Sequence, residues 1–514
     1  MALITEILTT VHQYMDTFPF LVAACVCLMT YWYLQTPRNL PPGPWAWPVL
    51  GNIPLFMTSK IDFFPDTITD LARQYGDVMT FWNARDLNVV ISGYRTIRTV
   101  LVKRAEDFSS RKAPPVLVDL RGDGTARDTT KGIVFADFGS DWKNQRKFAM
   151  KTLRDFGVGK RSLEGKICEE AAALSQELVA KDGEPFNIKH LLQNTVSNII
   201  CSIVFGKRFE YGDPEFLRLS HLISEVIDAT PGKDILINIH PVFRHLPFGS
   251  QEHQKLARNF PKLQAFCGEQ IKKHRATFDP NDIRDFIDAF LLEQQHAGRE
   301  HAQYSFTDEQ LQELVLDLFM AGAETTATSL HWALLYMLLY PGIQEKVQGE
   351  IDSVLGQAVP SYPLRDKMPY TTATLAEVQR INTVAPFSVP HSLSTGASLN
   401  GYTIPAGANI LVNLWSVHMD PQLFPEPGKF NPDRFLDQDG NFVKHEALIP
   451  FSVGPRVCLG EQLARMEIFL LFVSLLQRFT FKPPEGVTNL STVGTMTGIV
   501  NAPRPYDLCA FLRQ

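Results

Sequence analysis

The sequence contains few cysteines for its length, and no two of them form a Cys-x-x-Cys pair. This usage argues against zinc fingers, thioredoxin-like redox sites and disulfide frameworks, which need paired or regularly spaced cysteines. It is typical of a reducing compartment, and single-cysteine chemistry is the option that remains. The seven cysteines are Cys25, Cys27, Cys168, Cys201, Cys267, Cys458 and Cys509.

An excess of positive charge is also missing. The formal net charge is -6 and the isoelectric point is near 6.1. A general nucleic-acid-binding protein carries an excess of lysine and arginine, so no nucleic-acid partner is expected, although a local basic face can still meet another protein. With 45% hydrophobic and 20% charged residues, the composition is that of a folded chain with a large core.

Charged residues are absent from residues 17–37, where the sequence is almost entirely apolar. This length matches the hydrocarbon core of a bilayer and predicts an N-terminal transmembrane anchor within residues 1–37. A cleaved signal peptide is the alternative, but such peptides begin with basic residues, whereas Asp16 precedes this run. The first basic residue after the run is Arg38, which predicts that the rest of the chain lies on the cytoplasmic side.

Residues 38–52, RNLPPGPWAWPVLGN, contain four prolines and predict a stiff, extended connector, because proline fixes the backbone dihedral φ. Beyond the connector the sequence has no second linker, no repeat of fixed period and no long run of charge. Residues 53–514 are therefore expected to form a single large domain.

Helical periodicity dominates this domain. The most informative helix is predicted to begin at Thr307, which can form a capping box with Gln310, and to end before Pro341. The run DVMTFWNARDLNVVISG predicts an early strand pair, and ASLNGYTIPAGANILV predicts a later hairpin with turns at Gly401 and Gly407. The predicted fold class is mainly α with a small β region.

The second half of the long helix is apolar on nearly all sides, which predicts a central, buried position. The stretch FMAGAETTATS breaks this pattern with Gly322, Glu324 and Thr325. Taken singly, each has a structural explanation: glycine permits close helix packing, threonine bonds the carbonyl one turn back, and a core glutamate is satisfied locally. Together they favour a groove at which a small ligand approaches the helix.

The stretch PFSVGPRVCLGEQ places Cys458 between glycines, two positions after Arg456 and just before an apolar run. Gly454 and Gly460 allow the backbone to bend closely, and the helix predicted after the cysteine directs its N-terminal dipole at the sulfur. These features predict a thiolate. The alternative, an inert buried thiol, explains none of the flanking residues.

Four motifs in order make essentially the whole chain resemble the cytochromes P-450. FSVGPRVCLG is similar to their heme-thiolate loop, Phe-x-x-Gly-x-Arg-x-Cys-x-Gly, and AGAETT to their oxygen-activating helix. DWKNQR resembles their Trp-x-x-x-Arg motif, while EVQR and NPDRF supply Glu377, Arg380 and Arg434 of a scaffold ion-pair network. Within the superfamily the sequence resembles the animal microsomal family 2 hydroxylases of xenobiotics, fatty acids and steroids. The resemblance implies the cytochrome P-450 fold behind the anchor, with heme b.

The resemblance also implies roles for single residues. Cys458 is the implied ligand of the heme iron, because an axial thiolate favours O–O cleavage. Glu324 and Thr325 are the implied catalytic pair, the first relaying protons and the second hydrogen-bonding the oxygen being activated. On residue type alone His391 is equally well a core histidine. The residues implied to bind the cofactor are Arg111, Trp142, Arg146, Ala321, Gly322, His391, Phe451, Arg456 and Gly460.

The sequence has no convincing dinucleotide-binding fingerprint, so the electrons must come from a partner. The resemblance implies an NADPH-dependent flavoprotein reductase, with cytochrome b5 as a second candidate donor. The segment WKNQRKFAMKTLRDFGVGKR suits such a partner, because its basic residues outnumber the single acid Asp155. An ordinary solvated helix face is the alternative. The basic residues are Lys143, Arg146, Lys147, Lys151, Arg154, Lys160 and Arg161.

Candidate substrate-lining residues are apolar, which predicts a lipophilic substrate, although plain core positions explain them equally well. One departure from the family pattern is Ser452, where many relatives carry glycine; it puts the fine geometry of the cysteine loop in question. The lining candidates are Ile133, Phe135, Val384, Phe387, Ile499 and Val500.

The leading interpretation is a monooxygenase of the endoplasmic reticulum membrane that hydroxylates or epoxidises a fatty acid, steroid or xenobiotic with O2. A heme-thiolate isomerase or dehydratase of lipid peroxides is an alternative that needs no reductase. A noncatalytic membrane heme-binding protein is another. The pair Glu324 and Thr325 counts against both alternatives, since neither needs proton delivery.

Overall fold

The computed structural model describes residues 37–58, 63–113, 131–157, 161–228, 251–299 and 306–513, with four isolated positions nearer the N-terminus. The anchor predicted within residues 1–37 lies almost wholly outside the described residues. Those placed within its apolar run are helical and exposed: Ala23, Val26, Cys27 and Thr30. Within the described part of the chain, no helix combines the length and the apolar character needed to cross a membrane.

The described chain is mainly helical, as predicted. The helices are α1 (Ile53–Thr58), α2 (Phe64–Tyr75), α3 (Tyr94–Arg98), α4 (Ala105–Phe108), α5 (Ser140–Asp155), α6 (Arg161–Val179), α7 (Lys189–Val204), α8 (Pro214–Asp228), α9 (Gln251–Ala276), α10 (Phe286–Arg299), α11 (Asp308–Leu339), α12 (Pro341–Leu355), α13 (Pro369–Ile381), α14 (Leu414–His418) and α15 (Glu461–Arg478). A π-helical turn at Thr99–Lys103 and 3-10 turns at Tyr362–Lys367 and Pro432–Phe435 complete the helical part.

Helix α11 begins and ends where the sequence predicted. Thr307 Oγ1 accepts a hydrogen bond of 3.2 Å from Gln310 N, which satisfies one free N–H of the first turn. The other half of the predicted capping box is wrong, because the Gln310 side chain bonds the backbone of Gly132 instead. From Thr326 to Leu338 every residue is buried, so the prediction of a central helix is confirmed.

The strands of the described residues are short and form one four-stranded sheet and three two-stranded antiparallel sheets. They are β1 (Val78–Asn83), β2 (Asp86–Ile91), β3 (His391–Ser392), β4 (Ala397–Leu399), β5 (Tyr402–Ile404), β6 (Asn409–Val412), β7 (Phe479–Lys482), β8 (Gly494–Thr497), β9 (Val500–Pro503) and β10 (Cys509–Leu512). The sheet has the order β1-β2-β6-β3, and β1 and β2 are the predicted early pair, with Val78 opposite Ile91.

The later hairpin is shorter than predicted. Strands β4 and β5 pair around Gly401, whose φ of 83° requires the freedom of glycine. Strand β6 leaves this hairpin and pairs in parallel with β2, so the run ASLNGYTIPAGANILV spans two separate sheets. Gly407, with φ of 77°, makes the predicted turn between them.

The proline-rich connector lies on the sheet. Pro42 O accepts a hydrogen bond of 2.8 Å from Thr80 N in β1, and Pro41 O accepts one of 2.9 Å from Thr80 Oγ1. Proline suits this place because its carbonyl remains free to accept although its nitrogen cannot donate. The division into residues 1–37, 38–52 and 53–514 stays a prediction.

The main apolar cluster surrounds α11, which packs against α7 on one side and α15 on another. Helix α15 directly follows the loop that holds Cys458, and Glu467 of α15 bonds Thr326 of α11. The core therefore brings the central helix and the cysteine loop into one region of the molecule.

Candidate active site

Cys458 lies in the loop just before α15. Cys458 N donates to Phe451 O at 3.0 Å, and the Gly460 N–H donates to the Cys458 sulfur. The side chain is exposed although the residue lies deep in the protein, so the sulfur borders an internal space. Burial raises the pKa of the Cys458 thiol, while the Gly460 N–H and the charge of Arg146 oppose that rise. The predicted backbone support for a thiolate is present, but burial outweighs it.

Two residues of this loop have left-handed backbone. Gly454 has φ of 82°, and a Cβ there would lie 2.0 Å from the Leu101 carbonyl oxygen, so the position requires glycine. Ser452 has φ of 65°, which is unfavourable for any residue with a Cβ. This gives a physical reason why glycine suits position 452. Gly460 has an ordinary φ of -89°, and no described atom lies within 4 Å of where its Cβ would be.

Three arginines gather around the loop. The pKa of Arg111 is lowered to about 10, mainly by burial and then by the nearby charge of Arg146. The pKa of Arg456 is lowered to about 8, mainly by burial and then by the charges of Arg111 and Arg146. Arg146 Nη2 donates to Val457 O at 2.6 Å and so joins α5 to the cysteine loop. Like charges this close in the interior favour the binding of an anionic group.

Arg456 and Trp142 connect the cysteine loop to residues 131–139. Arg456 Nη1 and Trp142 Nε1 both donate to Ile133 O, at 3.0 and 3.1 Å, and the guanidinium lies 4.1 Å from the centroid of the indole ring. Arg456 also donates to Ser109 O at 2.8 Å and to Ala136 O. The donor groups of these two side chains thus bind backbone carbonyls.

Arg111 and His391 each keep a buried nitrogen, Nε and Nε2, without a hydrogen-bond partner in the described part of the chain. Arg111 Nη1 donates to Val134 O at 2.8 Å. His391 Nδ1 lies 2.7 Å from Phe108 O and must carry the proton, because a carbonyl only accepts. Burial, and then Arg111, lower the pKa of His391 to about 3, so the neutral ring presents Nε2 as an acceptor. Nε2 of His391 can donate a hydrogen bond to a carboxylate only when a nearby anion raises the pKa of the imidazole.

The middle of α11 also borders internal space. Ala321 is exposed although Phe319 is fully buried, and Thr325, one turn on, is half-buried. Thr325 Oγ1 donates to Ala321 O at 2.9 Å. Gly322 contacts α7, because a Cβ there would lie 2.6 Å from Ile200 Cδ1. Close helix packing therefore explains the glycine, while Ala321 and Thr325 are the residues that face open space.

Glu324 is buried and its carboxylate turns towards α7. Glu324 Oε2 accepts from Gln193 Nε2 at 2.6 Å, and Oε1 accepts from Thr328 Oγ1 at 3.4 Å. The predicted acid is thus locally satisfied, by α7 and by the next turn of α11.

Comparison with known proteins identifies the family to which this chain belongs. The profile of the family described as "Cytochrome P450" matches residues 41–510 of the 514. The chain belongs to the cytochrome P450 family.

Similar proteins narrow the assignment. The P450 is 41% identical to "Cytochrome P450 2U1" of Bos taurus over 93% of this chain and 90% of the relative. It is 42% identical to "Cytochrome P450 2J2" of Homo sapiens over 96% and 95%, and 42% identical to "Cytochrome P450 2D4" of Rattus norvegicus over 91% and 92%. The chain is therefore a family 2 P450, a heme-thiolate monooxygenase that uses O2, a redox partner and a lipophilic substrate.

The family implies a heme, and the residues of this P450 fit one. Cys458 offers a thiol to an internal space, and a thiol that coordinates a metal loses its proton, which offsets the effect of burial on its pKa. The arginine cluster and the unpartnered Arg111 Nε suit the two propionates of heme. The open space at Gly460 suits a flat ring.

The ion-pair network predicted from EVQR and NPDRF is present and buried. Arg380 Nε and Nη2 donate to the two oxygens of Glu377 at 2.7 and 2.8 Å. Arg434 Nε donates to Glu377 Oε1 at 3.0 Å. Because Arg380 also bonds the carbonyls of His418 and Pro427, the network ties α13 to the chain before the cysteine loop.

The basic face predicted on α5 is exposed at Lys143, Lys147, Lys151 and Arg154. Lys143 Nζ lies 3.5 Å from Glu106 Oε1, a distance at which an exposed pair contributes little. Arg146 is half-buried and points inwards to the cysteine loop, so α5 carries basic residues on both sides. Lys160 lies outside the described residues.

The predicted lining residues differ in exposure. Ile133 and Val500 are buried, Phe135, Val384 and Phe387 are half-buried, and Ile499 is exposed. Asn501 N donates to Val384 O at 2.8 Å, which holds the β8–β9 hairpin against the segment after α13. Contact with substrate stays a prediction for all six.

Two residues of this region were missed in the sequence. Asp317 Oδ2 accepts from Ile133 N and Val134 N at 2.7 and 2.9 Å, and its charge supports Arg111. The sequence did indicate a special role for Asp317, because this charged residue lies one turn before Ala321 in an otherwise apolar part of the helix. Gln193 gave no local signal, because its bond to Glu324 joins positions 131 residues apart.

Proposed function

We propose that this P450 is an enzyme of the endoplasmic reticulum membrane, with its catalytic domain on the cytoplasmic side. It hydroxylates or epoxidises a fatty acid, steroid or xenobiotic with O2. NADPH-cytochrome reductase supplies the electrons, and cytochrome b5 is a second candidate donor. The observation that carries the proposal is a single one: the sulfur of Cys458 borders internal space within electrostatic reach of Arg111 and Arg146.

The proposed cofactor is heme b, whose iron the thiolate of Cys458 would hold. When bound, heme supplies the activation of O2 that inserts one oxygen atom into the substrate and releases the other as water. The guanidinium groups of Arg111, Arg146 and Arg456 would hold its carboxylates, through the N–H groups that do not already bind backbone carbonyls. The other proposed contacts are Trp142, Ala321, His391, Phe451 and Gly460, together with Gly322 through its backbone, since its missing Cβ faces Ile200.

The residues of α11 supply protons. Thr325 is half-buried, beside the exposed Ala321, and its hydroxyl can turn from Ala321 O to a reacting oxygen without leaving the helix. Glu324 is the proposed acid that replaces the proton given up by this hydroxyl.

The substrate class is proposed from the apolar lining candidates, and the membrane location from the charge-free run at residues 17–37 with Arg38 behind it. A screen of fatty acids, steroids and drug-like aromatics for a spin-state shift of the purified protein tests the first. Fractionation of cells that express the full chain, followed by protease digestion of intact microsomes, tests the second. Digestion of the catalytic domain from outside is expected; protection would contradict the orientation.

The central test compares Cys458→Ser with Cys168→Ser. Cys168 is the matched control because its thiol bonds Pro360 O, at 3.6 Å. Extraction of the cofactor as its pyridine complex is expected to identify heme b in the unsubstituted protein and in Cys168→Ser. Substrate-dependent NADPH oxidation with reductase is expected in the same two proteins. A Cys458→Ser protein with full heme content and full product formation would refute the proposal.

A further inference from the structure

A small cavity with both polar and apolar walls lies between α7, α11 and strand β9. Its wall includes Lys189 and Gln193 of α7 and Glu324, Thr328 and His331 of α11. Every residue that lines it is buried except Lys189, which is half-buried in the first turn of α7. Lys189 therefore marks the end of the cavity nearest to solvent.

Two buried polar atoms of the lining residues need a partner. Gln193 Oε1 and His331 Nε2 form no hydrogen bond with any residue that the structure describes. A buried polar atom is unfavourable when it is left unpaired, and internal water is its usual partner. This cavity has room for water, so water is the ligand that its chemistry favours.

His331 is held as a neutral group on this wall. Burial, and then the charge of Lys189, lower the pKa of His331 to about 3. Its ring stacks on Tyr506 with centroids 4.6 Å apart, which fixes its orientation. A neutral, fixed imidazole can bond water in a chain without taking up charge itself.

Glu324 presents its carboxylate to this cavity. Its hydrogen bond to Gln193, at 2.6 Å, holds Oε2 on the side of α7. Thr325 is the next residue, and successive side chains of an α-helix point about 100° apart. The Glu324 carboxylate and the Thr325 hydroxyl therefore leave α11 in neighbouring directions, the carboxylate towards the cavity and the hydroxyl towards Ala321 O.

We infer that Glu324 takes up its protons from water in this cavity, which exchanges with solvent at Lys189, and that Gln193 is the positioning residue that holds the carboxylate there. The inference rests on the proposed role of Glu324 as proton relay. For each proton that leaves Glu324 towards Thr325, one enters from solvent along the water. No electron is transferred in this step.

The first test is a high-resolution crystal structure of the holoenzyme and of Gln193→Leu. Ordered water between Lys189 and Glu324 is expected in the unsubstituted protein, and the leucine is expected to expel it. A dry cavity in the unsubstituted protein would overturn the inference. This readout does not depend on turnover.

The second test measures product formed per NADPH consumed. Gln193→Leu is expected to lower this ratio about tenfold, with the lost electrons recovered as hydrogen peroxide, and to increase the solvent deuterium isotope effect on product formation. Asn194→Leu is the matched control: it is the same replacement one residue along α7, where the amide oxygen accepts from Ser220 Oγ at 2.8 Å. The control is expected to keep the original ratio and isotope effect.

Two further variants make every outcome decisive. If Glu324→Gln keeps full coupling, the proposed relay role itself is wrong. If Glu324→Gln uncouples the enzyme while Gln193→Leu and Lys189→Met do not, the relay role stands and the inference drawn from the cavity fails. Should Gln193→Leu not fold, Lys189→Met at the half-buried mouth decides in its place, because it is expected to uncouple the enzyme in the same direction.

Discussion

Arg380 and Glu377 form a two-pronged ion pair in which neither side chain is exposed to solvent. Their spacing of three residues occurs on countless exposed helices, where such a pair contributes only a few tenths of a kcal/mol. Burial changes its importance, because each charge would be very unfavourable here without the other. The pair fixes the Arg380 side chain, whose hydrogen bonds to the carbonyls of His418 and Pro427 hold α13 in place.

Glu377→Gln should destabilise the protein by about 3–5 kcal/mol, because it leaves the charge of Arg380 buried without its counter-charge. The measurement is the midpoint of denaturant unfolding of the purified protein. Lys429→Gln is the control, since Lys429 and Glu426 have the same spacing of three residues but are exposed. The control is expected to change stability by less than about 1 kcal/mol. Equal effects of the two substitutions would contradict a structural role for the buried pair.

Gly454→Ala should damage the cysteine loop. A Cβ at this position meets a backbone carbonyl at 2.0 Å and a left-handed φ of 82°, and the φ alone costs about 1–2 kcal/mol. We expect a lower thermal midpoint and weaker retention of heme. Gly349→Ala in α12 is the matched control, because no atom beyond its chain neighbours and its own helix backbone lies within 4 Å of where a Cβ would be, and alanine favours a helix by about 1 kcal/mol. Normal heme retention by Gly454→Ala would show that the loop tolerates a side chain here.

Glu467 gives a prediction about pH. Burial raises the pKa of this carboxyl to about 8 from 4.5, against the opposing hydrogen bond from Thr326. Between these values the folded protein holds a proton that the unfolded chain releases, so the contribution of Glu467 to stability falls by about 1.4 kcal/mol per pH unit as the pH rises. Glu467→Gln removes this dependence.

The check is the difference in unfolding midpoint between Glu467→Gln and the unsubstituted protein at several pH values from 5 to 8. The variant should gain relative stability steadily as the pH increases over this range. A difference that stays constant with pH would mean that Glu467 is ionised in the folded protein.

Lys147→Glu should weaken the interaction with the reductase. Lys147 is exposed on α5, between Lys143 and Lys151, and reversing its charge opposes the approach of an acidic partner. The expected result is a higher KM for reductase with an unchanged kcat, and a larger effect at low ionic strength. Lys272→Glu makes the same charge change at an exposed position of α9 and should leave this KM unchanged. Equal shifts would assign the effect to net charge.

The sequence was most informative for features that depend on residues close together in the chain. The cap at Thr307, the early strand pair and the buried course of α11 follow from short-range patterns, and all three are confirmed. The pairing of β6 with β2 could not be predicted from short-range patterns. Its partner β2 lies more than 300 residues earlier, and parallel pairing leaves no signal in the turn that precedes it.

The site shows the same division. Cys458 was marked by its own neighbours, whereas the contact of Gly322 with Ile200 and the bond from Gln193 to Glu324 arise from the packing of α7 on α11. A glycine that admits a ligand and one that admits a neighbouring helix look identical in a sequence. Only the direction of the missing Cβ separates them.

The account depends on the sulfur of Cys458 as the iron ligand, and the absorption spectrum of the reduced protein with carbon monoxide tests this most directly. We predict the strongly red-shifted Soret band of a thiolate-ligated heme in the unsubstituted protein, and its loss in Cys458→Ser. A band at the position of a nitrogen-ligated heme in the natively folded, unsubstituted protein would contradict the assignment.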